Sequence, residues 1–109
     1  MLRAEREVFV AIIRQTAALT VYAAAEPQPQ FTWFNGTTSL TASSHGKVDI
    51  TTASHGGPEA WMTLFRHSST LTLSDVDVWD LTEYRVVVSN DYGTNQTSLR
   101  LIEASKYTQ

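Results

Sequence analysis

Asp80-Leu81-Thr82-Glu83-Tyr84-Arg85-Val86-Val87-Val88-Ser89-Asn90-Asp91-Tyr92-Gly93 is the stretch whose reading decides the fold. Tyr84, Val86 and Val88 alternate with Arg85, Val87 and Ser89, the period of two expected of a strand with one face buried. Asn90-Asp91-Tyr92-Gly93 is turn chemistry, and beyond it Leu99 and Leu101 resume the alternation. The stretch predicts a strand, a tight turn and a returning strand. Just upstream, Ser69-Thr70-Leu71-Thr72-Leu73-Ser74 alternates as cleanly, with Leu71 and Leu73 inward, and Val76 and Val78 lead into Asp80.

Working outward, 109 residues with 42% hydrophobic and 17% charged side chains make one ordinary domain that can bury a core without staples. A net charge of −3 and a pI near 5.5 give no reason to expect nucleic acid or an anionic membrane as partner, because neutralising phosphates takes clustered Lys and Arg. The chain has no cysteine, so disulfide, zinc-finger and thiol chemistry have nothing to act on. No cofactor is expected.

Residues 1–7 are charged and read as a fraying leader. The apolar run Val8-Phe9-Val10-Ala11-Ile12-Ile13 that follows is no signal peptide core: Glu5 and Glu7 sit before it and Arg14-Gln15 interrupts it. The same interruption leaves no run long enough to span a bilayer as a helix. Two strands with a turn near Arg14-Gln15-Thr16 are predicted instead. In the second, residues 17–24, Leu19, Val21 and Ala23 share one face and Thr20 and Tyr22 the other. Alanine content favours a helix here, but Thr16, Thr20, Val21 and Tyr22 favour the strand. Pro27 and Pro29 end it, since neither can donate to a ladder. Phe31-Thr32-Trp33-Phe34 is the next strand, closed by the hairpin signal Asn35-Gly36.

Residues 38–42, 47–53 and 60–66 read as short strands, separated by the turn clusters Ser43-Ser44-His45-Gly46 and Ser54-His55-Gly56-Gly57-Pro58. Residues 104–109 read as a polar tail or linker.

The stretch from Asp80 to Gly93 resembles the corner and strand of an immunoglobulin domain, Asp-x-Gly-x-Tyr-x-Cys followed by an Ala-x-Asn-x-x-Gly turn. Asp80 and Tyr84 are in place, Thr82 stands where the family has Gly, and Val86 stands where it has the second cysteine. Leu19-x-Val21-x-Ala23 followed by Pro27-x-Pro29-x-Phe31-x-Trp33 is similar to the B to C segment of intermediate-set immunoglobulin domains, with Trp33 as the core tryptophan and Val21 at the first cysteine position. The resemblance implies an all-β fold over residues 8–103: a two-sheet, antiparallel, Greek-key sandwich of seven to nine strands, intermediate-set or variable-like. It further implies a core built on Val21, Trp33, Leu73, Tyr84 and Val86, with Asp80 at the corner and the Tyr84 hydroxyl bonded to backbone just upstream. A disulfide in a small domain contributes roughly 2–5 kcal/mol, and two buried valines recover about 1.5–3 kcal/mol each, so a sandwich without the cross-link is viable. The middle region is longer than the family's, which predicts an added strand or an extended loop.

The residues give little support to catalysis. His45, His55 and His67 make no pair spaced for one ion, so loop histidines and no metal site are expected. No Gly-x-Ser-x-Gly elbow or phosphate-cradling glycine loop occurs, and Asp75, Asp77 and Asp80 lie around a turn where Asp bonds backbone. No enzyme is expected. Asn35-Gly36-Thr37 and Asn95-Gln96-Thr97 are glycosylation sequons in predicted exposed turns. Strand alternation turns Phe34, Arg85, Val87, Ser89 and Arg100 outward, and Tyr92 sits at the hairpin tip. Exposed Phe and Val beside Arg is interface chemistry. The resemblance implies a recognition module from a larger cell-surface or secreted receptor or adhesion protein, binding another protein homophilically or heterophilically, with no membrane contact of its own. The alternative it implies is a cytoplasmic structural domain of a giant muscle-type protein.

Overall fold

The structure, a computed structural model, describes residues 2–4, 7–24, 28–41, 47–54 and 67–104. Among these residues the strands are β1 (Leu2–Ala4), β2 (Val8–Ala11), β3 (Ala17–Ala23), β4 (Gln30–Asn35), β5 (Thr38–Leu40), β6 (Val48–Ser54), β7 (His67–Leu73), β8 (Glu83–Asn90) and β9 (Gly93–Glu103). They form a four-stranded sheet in the order β1-β3-β7-β6 and a five-stranded sheet in the order β2-β9-β8-β4-β5. The links from β3 to β4 and from β7 to β8 cross between sheets, as a Greek-key sandwich requires. Every pairing is antiparallel except one: β2 runs parallel to β9, with Val8 beside Arg100 and Val10 beside Ile102.

The alternation seen in the sequence produces the core directly. β3 buries Ala17, Leu19, Val21 and Ala23, and β7 presents Leu71 and Leu73 from the same sheet. Against them β8 presents Tyr84, Val86 and Val88, β4 presents Trp33, and β9 presents Leu99 and Leu101. Thus the strand reading of the alanine-rich residues 17–24 holds, because period-two burial outweighs helix propensity. Val21, Trp33, Leu73, Tyr84 and Val86 all belong to one buried cluster. Trp33 pairs with Val86 on β4 and β8, and its indole Nε1 donates to Ser69 Oγ at 2.9 Å on the opposing sheet. Ser69 itself pairs with Val21, so tryptophan, serine and both valines meet at the centre.

Several expectations are adjusted. Leu2–Ala4, inside the stretch expected to fray, pairs with Ala23, Tyr22 and Val21. Charged neighbours do not prevent edge pairing, since backbone groups make the ladder and Ala4 packs against the core. Of the two valines that lead into Asp80, Val76 is buried and Val78 is exposed. A capping box at Asp77, whose Oδ1 accepts from Trp79 N, winds Val78–Asp80 into a 3-10 turn and breaks the alternation. In the β4–β5 hairpin Asn35 pairs with Thr38, so the central residues are Gly36 and Thr37; Gly36 takes φ 63°, where a side chain is strained. The expected strands in residues 38–42 and 47–53 correspond to β5 and β6, with β5 pairing beside β4 and β6 beside β7. The expected strand over residues 60–66, with His45 and His55, lies outside the described residues. His67 is no solvated loop residue: it is buried at the start of β7, its Nδ1 3.1 Å from Ser54 Oγ. Asn95 lies within β9 opposite Val88 rather than in the turn, and is exposed.

Candidate functional site

The corner that positions β8 is a closed network of polar groups. The Tyr84 hydroxyl donates to Asp80 O at 2.6 Å. The Asp80 carboxylate accepts from Asp77 N at 2.9 Å and from Lys47 Nζ at 2.7 Å, and Lys47 Nζ also donates to Asp75 O at 2.8 Å. Burial first, then the charges of Asp80 and Asp77, push the Tyr84 phenol from 10.0 up to about 12. Tyr84 is therefore a neutral donor at any physiological pH, and the corner is architecture rather than acid–base machinery. Among the described residues no group of His, Asp and Glu is arranged to hold a metal ion.

Beyond this corner the outward faces of β4, β8 and β9 lie in register. One row runs Phe34, Arg85, Ser98; the next runs Thr32, Val87, Gln96; a third runs Gln30, Ser89, Thr94. Arg85 Cζ lies 4.4 Å from the Phe34 ring centroid, and Arg85 Nη1 donates to Gln96 Oε1 at 3.0 Å. The guanidinium thus covers the Phe34 ring while Gln96 fixes it in place, leaving an ordered cation over a half-buried aromatic. Val87 is half-buried beside it. Ser89 continues the face toward the β8–β9 turn, where Tyr92 is 85% exposed and its N–H is held by Asn90 Oδ1 at 2.9 Å. Arg100 pairs with Glu83 at the other end, about 20 Å from Ser89 at some 3.3 Å per residue. Phe34, Arg85 and Val87 are therefore contiguous, Ser89 flanks them, and Arg100 and Tyr92 mark opposite ends.

Sequence reading passed over several residues. Lys47 anchors Asp80 from the start of β6, and no local pattern announces a pairing 33 residues away. Ser69 is the partner of the Trp33 indole; a buried tryptophan needs an acceptor, and a serine in an otherwise apolar inward register was the available signal. Trp79 is 84% exposed on the 3-10 turn, which the Asp77-x-x-Asp80 spacing of a capping box announces. Val8, Val10 and Ile102 are also exposed.

The sequence matches the immunoglobulin I-set domain over residues 3–102. No curated protein matches it. Among solved structures, a complex described as Dpr2 Ig1-Ig2 with DIP-Theta Ig1-Ig3 superposes with a TM-score of 0.81 at 20% identity, covering 95% of this chain and 32% of that one. The titin Ig tandem domains A164-A165 give 0.72 at 22%, covering 96% and 50%. The twitchin kinase region from C. elegans gives 0.71 at 22%, covering 94% and 16%. The chain thus spans half or less of each of these three. Likeness at such identities speaks for the fold alone, whereas the family match takes in both the Trp33 strand and the Tyr84 corner: the chain belongs to the immunoglobulin I-set family.

Proposed function

We propose that the domain is a protein-recognition module of a larger cell-surface or secreted protein, and that it binds its partner through the outward face of β4, β8 and β9. The observation that carries this reading is the Phe34–Arg85–Gln96 arrangement beside Val87. An ordered guanidinium over an aromatic ring, next to an aliphatic side chain, pairs apolar area with a charge already held in place, so little side-chain freedom is lost on binding. Phe34, Arg85 and Val87 form the centre of the contact, with Ser89, Arg100 and Tyr92 at its margins. The likeness to a Dpr2 and DIP-Theta complex supports a recognition role.

The sequons are compatible with this face. Strand parity turns Asn35 with Trp33 and Asn95 with Leu99, on the side of the sheet opposite Phe34 and Val87. Glycans on either would leave the face clear. A second reading, a cytoplasmic spacer in a giant muscle-type protein, is supported by the likeness to titin and twitchin and by the absence of cysteine.

Receptor-array or pull-down screening of the native domain, repeated with Val87→Asp, tests the proposal: a partner captured by the native domain and lost by the variant supports it. A partner held equally by both would move the site elsewhere. Peptide mass spectrometry of the native protein separates the contexts, because an absence of glycan at both Asn35 and Asn95 contradicts the cell-surface assignment.

A further inference from the structure

Among the described residues the five-stranded sheet ends at β2, and no strand pairs with the outer edge of β2. Glu7 O accepts from Arg100 N at 2.9 Å and Ala11 O accepts from Ala104 N at 2.8 Å. In a parallel ladder alternate residues turn both backbone groups toward the partner, so Glu7, Phe9 and Ala11 address β9. The N–H and C=O of Val8 and Val10 therefore point to the open side. Their side chains are 47% and 61% exposed, and Ile102, beside Val10, is 39% exposed. Natural sheet edges are blunted by Lys, Pro, a bulge or shortness. Val8-Phe9-Val10-Ala11, four residues long, carries no charge and no Pro, whereas β5 is three residues long and β6 carries Asp49.

We propose that this edge pairs with the same edge of a second copy of the chain, antiparallel about Phe9, joining the two five-stranded sheets across a two-fold axis. In the free chain these backbone groups are satisfied by water, and an added strand can replace that water along the whole row. The edge is self-complementary: Val8 faces the partner's Val10 and Val10 faces the partner's Val8, which closes an isologous contact. Ile102 of each copy extends the apolar band outside the paired strands. Charge permits it. Glu7 is the one charged residue of the paired segment, and the two copies of it fall about 13 Å apart along the strands, beyond the screening length of about 8 Å at physiological salt. Four backbone groups and a few aliphatic side chains per copy make a contact smaller than the roughly 1,200 Å² of stable complexes, so the association is weak and concentration-dependent. It adjoins the β4–β8–β9 face only at the Arg100 margin, where Val8 pairs with Arg100, and β2 lies beyond β9 from Phe34, Arg85 and Val87.

Sedimentation equilibrium of the 109-residue chain up to about 1 mM, a range suited to weak association, combined with amide hydrogen exchange, tests the proposal. Dimer is expected to accumulate with concentration, and exchange at Val8 and Val10 to slow with the paired fraction, about tenfold when nine-tenths of chains are paired. Val10→Lys, at an exposed position, should abolish both effects without moving the melting temperature, and Val87→Asp should leave both intact. A chain monomeric throughout, a dimer that survives Val10→Lys, or protection appearing on other strands would overturn the proposal, the last two pointing to a different contact.

Discussion

Val21 on β3 and Val86 on β8 are both fully buried, on opposite sheets, in one cluster with Trp33. By the resemblance to the family these are the two positions at which its cross-link joins the sheets. The packing of two branched aliphatic side chains around the indole takes its place, and the indole's own hydrogen bond crosses the same gap to Ser69 beside Val21.

That bond yields the first prediction. Ser69→Ala leaves the buried Trp33 N–H without an acceptor, which costs about 1–3 kcal/mol. For a domain near this size each kcal/mol is worth about 4–8 °C in melting temperature. Calorimetry should find Ser69→Ala less stable by that order and Ser74→Ala, on a partly exposed residue after β7, nearly unchanged.

Tyr84 predicts a pH dependence at the alkaline end. Its folded-state pKa of about 12 lies above the ordinary 10.0, so the folded protein holds the phenolic proton more tightly than the unfolded chain does. The contribution is fully present below pH 10 and is lost as pH rises from 10 through 12. Chemical denaturation across that window should show the native protein losing stability more steeply than Tyr84→Phe. At neutral pH the same variant should be weaker, having lost the 2.6 Å bond to Asp80 O.

At the corner, the two partners of one ion pair should differ in consequence. Asp80 also accepts from Asp77 N, whereas Lys47 is partly exposed. Asp80→Ala should cost about 2 kcal/mol and Lys47→Ala about 1 kcal/mol or less, with the Lys47 effect shrinking in high salt. Equal losses in urea denaturation would show that the backbone contacts of Asp80 carry no weight.

On the recognition face, Val87→Asp places an unpaired charge at the centre of the proposed contact and should weaken partner binding by at least about tenfold, or some 1.4 kcal/mol. Arg85→Ala should weaken it while uncovering the Phe34 ring. Both should melt within a few degrees of the native domain, because neither residue belongs to the buried cluster. A large drop in melting temperature would reassign them to the core.

Much of this fold was legible because period-two burial is a local signal. Tyr84, Val86 and Val88, or Leu19 and Val21, declare an inward face without reference to any partner. What was not legible depends on contacts across the chain. Lys47 meets Asp80 only after the sheets close, His67 is buried by a register that a histidine-bearing loop does not suggest, and Leu2–Ala4 becomes a strand because β3 offers an edge. The outward face was predicted by parity, but the placement of Arg85 over Phe34 needs the β4–β8 register. The exposure of Trp79 follows from the Asp77 capping box, which winds Val78–Asp80 into a 3-10 turn and interrupts the strand alternation on either side.

Whether Val21 and Val86 stand where a cross-link between the sheets would fit is decided by the double variant Val21→Cys, Val86→Cys. A disulfide needs Cα atoms about 4.4–6.8 Å apart with converging Cβ vectors. The double variant is expected to oxidise spontaneously to a monomeric chain with no titratable thiol and to gain about 2–4 kcal/mol in stability over its reduced form. Two thiols that stay free under oxidising conditions, or that link only between chains, would contradict that placement.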